Sequence, residues 1–200
     1  IKSHASEILG RQETQTLVDA VKQSHAAVVE DLVPGMLSVG ELQKVLCNLL
    51  RERISIRDLV TILETLGDYV AMTKDTEILT EYVRQALARQ ISRQYAANGT
   101  LVCLAVDQEL EQLILAGVQR SEQGSFVALE PQKLQALVNC LSKELPKLTE
   151  IGYQPIVLVS PGCRLYFRKL TERVAENLII LSYAELEPNV QIQTLGMVKV

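Results

Sequence analysis

The sequence has no tryptophan, two phenylalanines and two histidines in 200 residues. With only His4 and His25 available, histidine-based metal or triad chemistry is nearly excluded. The four cysteines, Cys47, Cys103, Cys140 and Cys163, are separated by 56, 37 and 23 residues. Those gaps match no zinc or redox pairing. Each lies in or beside an apolar run, so all four read as small buried hydrophobes, as in a reducing compartment. No stretch reaches the ~18 apolar residues of a membrane helix, and there is no signal peptide. A glycine-rich phosphate loop, a Gly-x-Ser-x-Gly elbow and a metal-ligand cluster are all missing. The residues therefore support neither an enzyme nor a cofactor or metal site. Nor is there an excess of positive charge: the net charge is −4. Residues 1–99 carry 11 basic and 13 acidic side chains, and residues 100–200 carry 9 and 11. Neither half is built to bind a phosphate backbone. The chain also lacks an initiator methionine and opens on IKSHASEIL, which reads as the middle of a helix. It is read as a fragment of a longer protein.

What remains is 48% hydrophobic, which suits a helix-rich globular chain of one large or two small domains. The first half reads as helices. Residues 4–9 end one, closed by Gly10. A second, 12–23, points Leu17, Val18 and Val21 inward. A short apolar helix at 26–32 leads into the Pro34-Gly35 turn. Ser38-Val39-Gly40-Glu41 has the form of a capping box, and the helix after it carries Leu42, Val45, Leu46 and Leu49 on one face. In ERISIRDLVTILE (52–64), Ser55 reads as an N-cap with Asp58 three residues on. Arg57 then falls in the first turn, where a positive charge is mildly unfavourable and should have a partner. Asp75 opens one long helix, 75–95, with Glu77, Glu81, Arg84 and Ala88 on a charged face.

After Ala97-Asn98-Gly99, the best domain boundary, the pattern changes. Residues 101–106 and 156–159 are short continuous apolar runs, as in strands buried on both faces. Residues 178–181 form a third strand, and 190–200 a fourth at an edge. Asp107 caps a helix to about residue 117. Residues 119–124 read as a loop, 125–129 as a short edge strand, and Pro131 opens a further helix. Ser160-Pro161 begins another. The fold class expected is thus α plus α/β, a helical subdomain followed by a small α/β subdomain with a short, mostly parallel sheet.

Two local arrangements invite chemistry. Ser160-Pro161-Gly162-Cys163-Arg164 places a cysteine at a helix N-terminus, where anions bind and thiols acidify. Arg168, however, falls one residue short of the Cys-x5-Arg spacing of a cysteine phosphatase, and Pro161 removes a backbone N–H. A capped helix start is the reading adopted. The pair of helices 38–52 and 55–66 resembles a helix-turn-helix, the alternative being a nucleic-acid-binding regulator. Its second helix offers Glu64 and Asp68 after Arg57, a surface that repels phosphate.

Three stretches, GRQETQTLVD, LVPGMLSVGELQKVLCNLLRERISIRDLVTILETLGDY and TKDTEILTEYVRQALARQI, occur in that order. With VLVSPGCRLYFRKLTER and LIILSYAELEPNVQIQTLGMV further on, they resemble the FlhA-type export-gate family. That family is shared between flagella and type III secretion injectisomes. The resemblance covers essentially the whole chain, and LRERISIRDL and the TKD run look more like the flagellar branch. It implies the last part of a cytoplasmic region that assembles into a nine-membered ring under an export channel. The parent would be a polytopic membrane protein of the bacterial inner membrane, with this part on the cytoplasmic side. Export chaperone–substrate complexes and other export-apparatus components would be its partners. Residues 1–10 would end one subdomain, 11–97 would form the helical ring-forming subdomain, and 98–200 the α/β subdomain. The family's ring contacts imply that Arg57, Glu81, Arg84 and Arg89 are subunit-interface charges. Loops 119–124 and 184–189 would face docking partners.

Overall fold

The computed structural model describes residues 5–122 and 124–200; His4 and Gln123 lie outside them. The chain forms two compact units, divided between Ile91 and Ser92. The division falls inside a helix, ahead of the Ala97–Gly99 turn.

The first unit is helical. It comprises α1 (Ala5–Ile8), α2 (Arg11–Ser24), α3 (Ala26–Glu30), a wide turn over Leu32–Met36, α4 (Val39–Arg51), α5 (Leu59–Tyr69), α6 (Thr76–Ala86) and the start of α7 (Ala88–Tyr95). Gly10 does not close a helix with a left-handed residue. Its φ is −85°, and it precedes α2 as N-cap. The Ser38–Glu41 capping box forms as expected. Glu41 N donates to Ser38 Oγ at 3.2 Å, and Ser38 N donates to Glu41 Oε2 at 2.8 Å. The apolar stripe of α4 (Leu42, Val45, Leu46, Leu49) is buried, because α4 packs on α1, α2 and α6. Helix α5 also packs on α6, and Tyr69 stacks on Tyr82 with ring centroids 3.9 Å apart.

The single helix expected over 75–95 is two. Asp75 caps α6 as read, accepting from Glu77 N and Ile78 N. Leu87 then leaves helical geometry (φ −88°, ψ 17°) before α7 begins. The apolar period runs through Leu87 and Ile91, both buried, so periodicity alone cannot register the break.

The second unit is α/β. A four-stranded sheet has the order β5-β4-β1-β6, from β1 (Thr100–Val106), β4 (Ile156–Val159), β5 (Ile179–Ser182) and β6 (Gln191–Val198). Every neighbouring pair is parallel, and β6 is an edge as expected. All four residues of β4 are buried, which explains its unbroken apolar sequence. Helices α8 (Gln108–Ala116), α9 (Pro131–Glu144), α10 (Pro146–Thr149) and α11 (Pro161–Thr171) supply the second layer. α8 packs on α11, α11 on β5, and α9 on β6. Leu104, Ile114, Leu137, Val157 and Phe167 form the centre of this core.

Two expectations here are corrected. The 119–124 loop is mostly strand. β2 (Val118–Ser121) and β3 (Gly124–Val127) pair as an antiparallel hairpin, with polar, exposed residues on β2 that carry no apolar signal. Cys140 is only half-buried, whereas Cys47, Cys103 and Cys163 are buried.

Candidate self-association surface

The segment between α4 and α5 is shaped at both ends by capping. Arg53 takes a left-handed φ of 61°. Arg53 N donates to Leu50 O at 3.0 Å, and Ile54 N donates to Leu49 O at 2.9 Å. This is a Schellman closure of α4, with arginine where glycine is usual. The conformation costs an L-residue roughly 1 kcal/mol. Ile54 and Leu49, both buried, are the apolar pair that such a closure brings together.

At the other end the sequence reading needs correction. The N-cap of α5 is Asp58, not Ser55. Asp58 accepts from Thr61 N at 3.2 Å and from the Thr61 hydroxyl at 2.8 Å. Ser55 Oγ instead accepts from Arg57 N at 3.3 Å. Arg57 therefore precedes the helix. Its side chain is exposed, and no described carboxylate lies within ion-pair distance of it. Gln90 Nε2 donates to Ser55 O at 3.0 Å, which fixes α7 beside the segment carrying Arg57. The neighbour of Gln90, Arg89, is also exposed. Arg57 and Arg89, both exposed, thus lie on two segments that this hydrogen bond joins.

Arg84 and Glu81 behave differently from their expected place on an exposed charged face. Arg84 is 1% exposed, and its Nη1 lies 3.3 Å from Glu52 Oε2. It points into the unit because it shares a buried stripe with Thr80, Leu87 and Ile91, at 4-3-4 spacing. That spacing was a readable signal for burial. Glu81 is half-buried and engaged within the chain.

A groove of about 450 Å³ opens near the other end of α5. Val28, Leu32, Met36 and Leu63 give it apolar walls, and Asp31, Glu64 and Asp68 line it with carboxylates. Glu64 and Asp68 are the residues that made α5 unsuitable for DNA. All three carboxylates are exposed.

In the second unit, the Ser160–Arg164 start of α11 is not a reactive site. Ser160 N donates to Glu111 Oε1 at 2.7 Å, so a carboxylate of the chain itself already meets this helix end. Cys163 is fully buried. Burial and the nearby Glu111 charge push its thiol up to about 12, which removes the thiolate a nucleophile needs. Arg164, also fully buried, places Nε 3.4 Å from Glu185 Oε1, and its Nη1 donates to Ile180 O at 3.2 Å. Glu185 Oε2 in turn accepts from Ser182 N at 3.0 Å. This pair was not anticipated, although Ser182-Tyr183-Ala184-Glu185 has the capping-box form. Part of the 184–189 loop is held as well, since Glu187 N donates to Ser92 Oγ at 2.9 Å. Among the described residues no group of three His, Cys, Asp or Glu is placed to hold a metal ion. No described helix is long and apolar enough to cross a membrane.

Comparison with known proteins agrees over the whole chain. The FHIPEP family pattern matches residues 1–191. The chain is 46% identical over 201 residues to the flagellar biosynthesis protein FlhA of Bacillus subtilis, covering 100% of this chain and 30% of that protein. It therefore spans less than a third of that relative's length. Among solved structures, the Chlamydia pneumoniae CdsV and CdsO complex matches with a TM-score of 0.91 and 29% identity, over 99% of this chain and 58% of the matched one. The nonameric SctV-C of EPEC matches with a TM-score of 0.88 and 29% identity, over 98% and 59%. With sequence and fold in agreement across both units, the chain belongs to the FHIPEP family.

Proposed function

We propose that this chain is part of the cytoplasmic region of a flagellar protein-export gate, and that its helical unit self-associates into a ring. The observation that carries the reading is the likeness to the nonameric SctV-C, which spans nearly the whole chain. The 46% identity to a flagellar FlhA favours the flagellar rather than the injectisome branch. The region lies on the cytoplasmic side of the inner membrane, anchored by parts of the parent outside this chain. Export chaperones with their substrates are its cargo-bearing partners.

Of the four charges expected at the subunit interface, Arg57 and Arg89 remain. They are exposed and lie on segments joined by the Gln90–Ser55 hydrogen bond. Arg84 does not, because its guanidinium is enclosed within its own unit. Glu81 is half-buried and engaged. Exposed ion pairs contribute only roughly 0–1 kcal/mol each. Ring formation therefore relies on membrane anchoring of the parent to raise effective concentration, and the isolated chain associates weakly.

The test is the double variant Arg57→Glu with Arg89→Glu in the full-length parent. Loss of rings in particle images together with loss of flagellar export is expected. Intact rings and intact export would refute this assignment. A second reading, in which the α/β unit also receives a partner, draws on the CdsV and CdsO complex. Retention of an export-apparatus protein by residues 92–200 of the intact chain, mapped by cross-linking, tests it.

A further inference from the structure

We propose that the outer edge of β6, over residues 191–194, receives an extended, uncharged segment of an unfolded polypeptide as an added strand. This site belongs to the α/β unit alone and does not depend on ring formation by the helical unit.

The sheet has two edges, β5 and β6, and the fold treats them differently. In a parallel ladder, alternate residues turn their N–H and C=O toward one neighbour and away from it. Ile179 N donates to Pro155 O beside β4, so Ile180 and Ser182 face outward from β5. Both are met by the buried ion pair. Arg164 Nη1 donates to Ile180 O at 3.2 Å, and Ser182 N donates to Glu185 Oε2 at 3.0 Å. The β5 edge is thereby closed.

On β6, Gln191 N donates to Gly99 O at 2.8 Å, and Gln191 and Gln193 pair with Thr100 and Val102 of β1. Ile192 and Thr194 therefore face outward. Their N–H and C=O groups meet no hydrogen-bond partner among the described residues. Residues 191–194 are all exposed. Beyond them the ladder shifts register after Cys103 and Thr194, and α9 covers the strand. Lys199 N donates to Cys140 Sγ at 3.5 Å, and Cys140 Sγ donates to Met197 O at 3.9 Å. The open part of the edge is thus the N-terminal half of β6.

The chemistry of that edge names its occupant. Free main-chain donors and acceptors alternating at strand spacing are complemented by another extended backbone, whatever its sequence. Charges and prolines commonly blunt an exposed edge, but Gln191–Val198 contains neither. A cavity of about 380 Å³ opens beside the edge, lined by the side chain of Gln193 with Tyr95, Asn98, Tyr153 and Gln154. No charged residue lines it. An added strand sets every second side chain on the Gln193 face, next to these amides and rings. Uncharged residues suit that position, whereas a charged one would find no counter-ion there.

The experiment uses the 200-residue chain and a fluorescein-labelled peptide with blocked ends, Thr-Val-Gln-Ile-Thr-Val-Gln. Fluorescence anisotropy should show saturable binding. The same peptide N-methylated on its inner residues, which cannot join a ladder, should bind at least tenfold more weakly. Amide hydrogen exchange of the wild-type chain should slow at Ile192 and Thr194 when the peptide is added. Thr194→Pro removes an outward donor while sparing the bonds to β1, and it should weaken binding at least tenfold. Circular dichroism checks that this variant folds; should it not, the wild-type exchange pattern decides. Absence of saturable binding up to millimolar peptide would overturn the proposal. So would binding that leaves exchange at Ile192 and Thr194 unchanged, or a folded Thr194→Pro chain that binds like wild type.

Discussion

The guanidinium of Arg84 on α6 lies 3.3 Å from the carboxylate of Glu52, the residue that ends α4. Arg84 is 1% exposed and the Glu52 side chain 12%. The pair ties α4 to α6 through residues 32 apart in the chain, beside a hydrogen bond from Asn48 Nδ2 to Thr80 Oγ1 at 3.2 Å. It also explains why Arg84, expected on an exposed charged face, is buried.

Breaking this pair from one side should be costly. Glu52→Ala removes the carboxylate 3.3 Å from a buried guanidinium, a loss of about 3 kcal/mol. The combined change Glu52→Leu with Arg84→Met should recover most of it, because an apolar pair of similar volume removes the desolvation penalty. Urea unfolding of the three variants measures this. A double variant no more stable than Glu52→Ala would contradict it.

The Arg164–Glu185 pair is the corresponding element of the α/β unit, and it is more enclosed. Glu185 also holds Ser182 N, so Glu185→Ala takes the carboxylate away from a buried guanidinium and removes the acceptor of a buried backbone donor. We expect a loss of about 3–5 kcal/mol and early melting of this unit. Hydrogen exchange at Ile180 to Ser182 should accelerate more than exchange in α4. Uniform protection in the variant would count against the assignment.

The α4 cap should be sensitive to acid. The Ser38 backbone N–H and then the Ser38 hydroxyl hold the Glu41 carboxyl below its ordinary value, helped by Lys74 and Lys44 and opposed by slight burial. The unfolded chain therefore binds this proton more readily. The stabilisation is complete above the unfolded value of about 4.3 and fades as pH falls from there through the lowered folded value. Ser38→Ala should cost about 1 kcal/mol at neutral pH. The stability gap between wild type and Glu41→Gln should shrink between pH 6 and pH 3. A gap that is constant over that range would show that the carboxylate form is not what the cap recognises.

Thiol reactivity should follow burial. Burial pushes Cys103 up to about 11 and Cys163 up to about 12. A thiol reagent at neutral pH should modify half-buried Cys140 first and reach Cys103 and Cys163 only on unfolding. Because both thiols ionise near pH 8.5 when the chain unfolds but stay protonated in the fold, stability should decline as pH rises above that value. Rapid native labelling of Cys163 would restore the reactive reading of the Ser160–Arg164 segment.

Much of the fold was legible because its signals are local. The capping box at Ser38, the N-caps Asp75 and Asp107, Pro131 at a helix start and the buried run Ile156–Val159 each depend on neighbours within a few residues. Such contacts leave a pattern in sequence that does not need a partner from elsewhere. The Arg57 puzzle was also local, yet it was placed one turn wrong. Ser55 and Asp58 both favour capping, and the choice fell to Asp58 where Gln90 holds the Ser55 carbonyl from another helix.

By itself, then, the sequence determined the helical-then-α/β order, the parallel sheet and the family, since apolar period, caps and long matched stretches are properties of the chain alone. Tertiary structure alone decided what Arg84 meets. Its spacing on the apolar stripe marks it for burial, but only packing brings it to Glu52, 32 residues away in the chain. The acidic groove, likewise, exists only where α3, the Leu32–Met36 turn and α5 converge. A side chain's fate depends on which face its helix buries, and that is settled by elements tens of residues away.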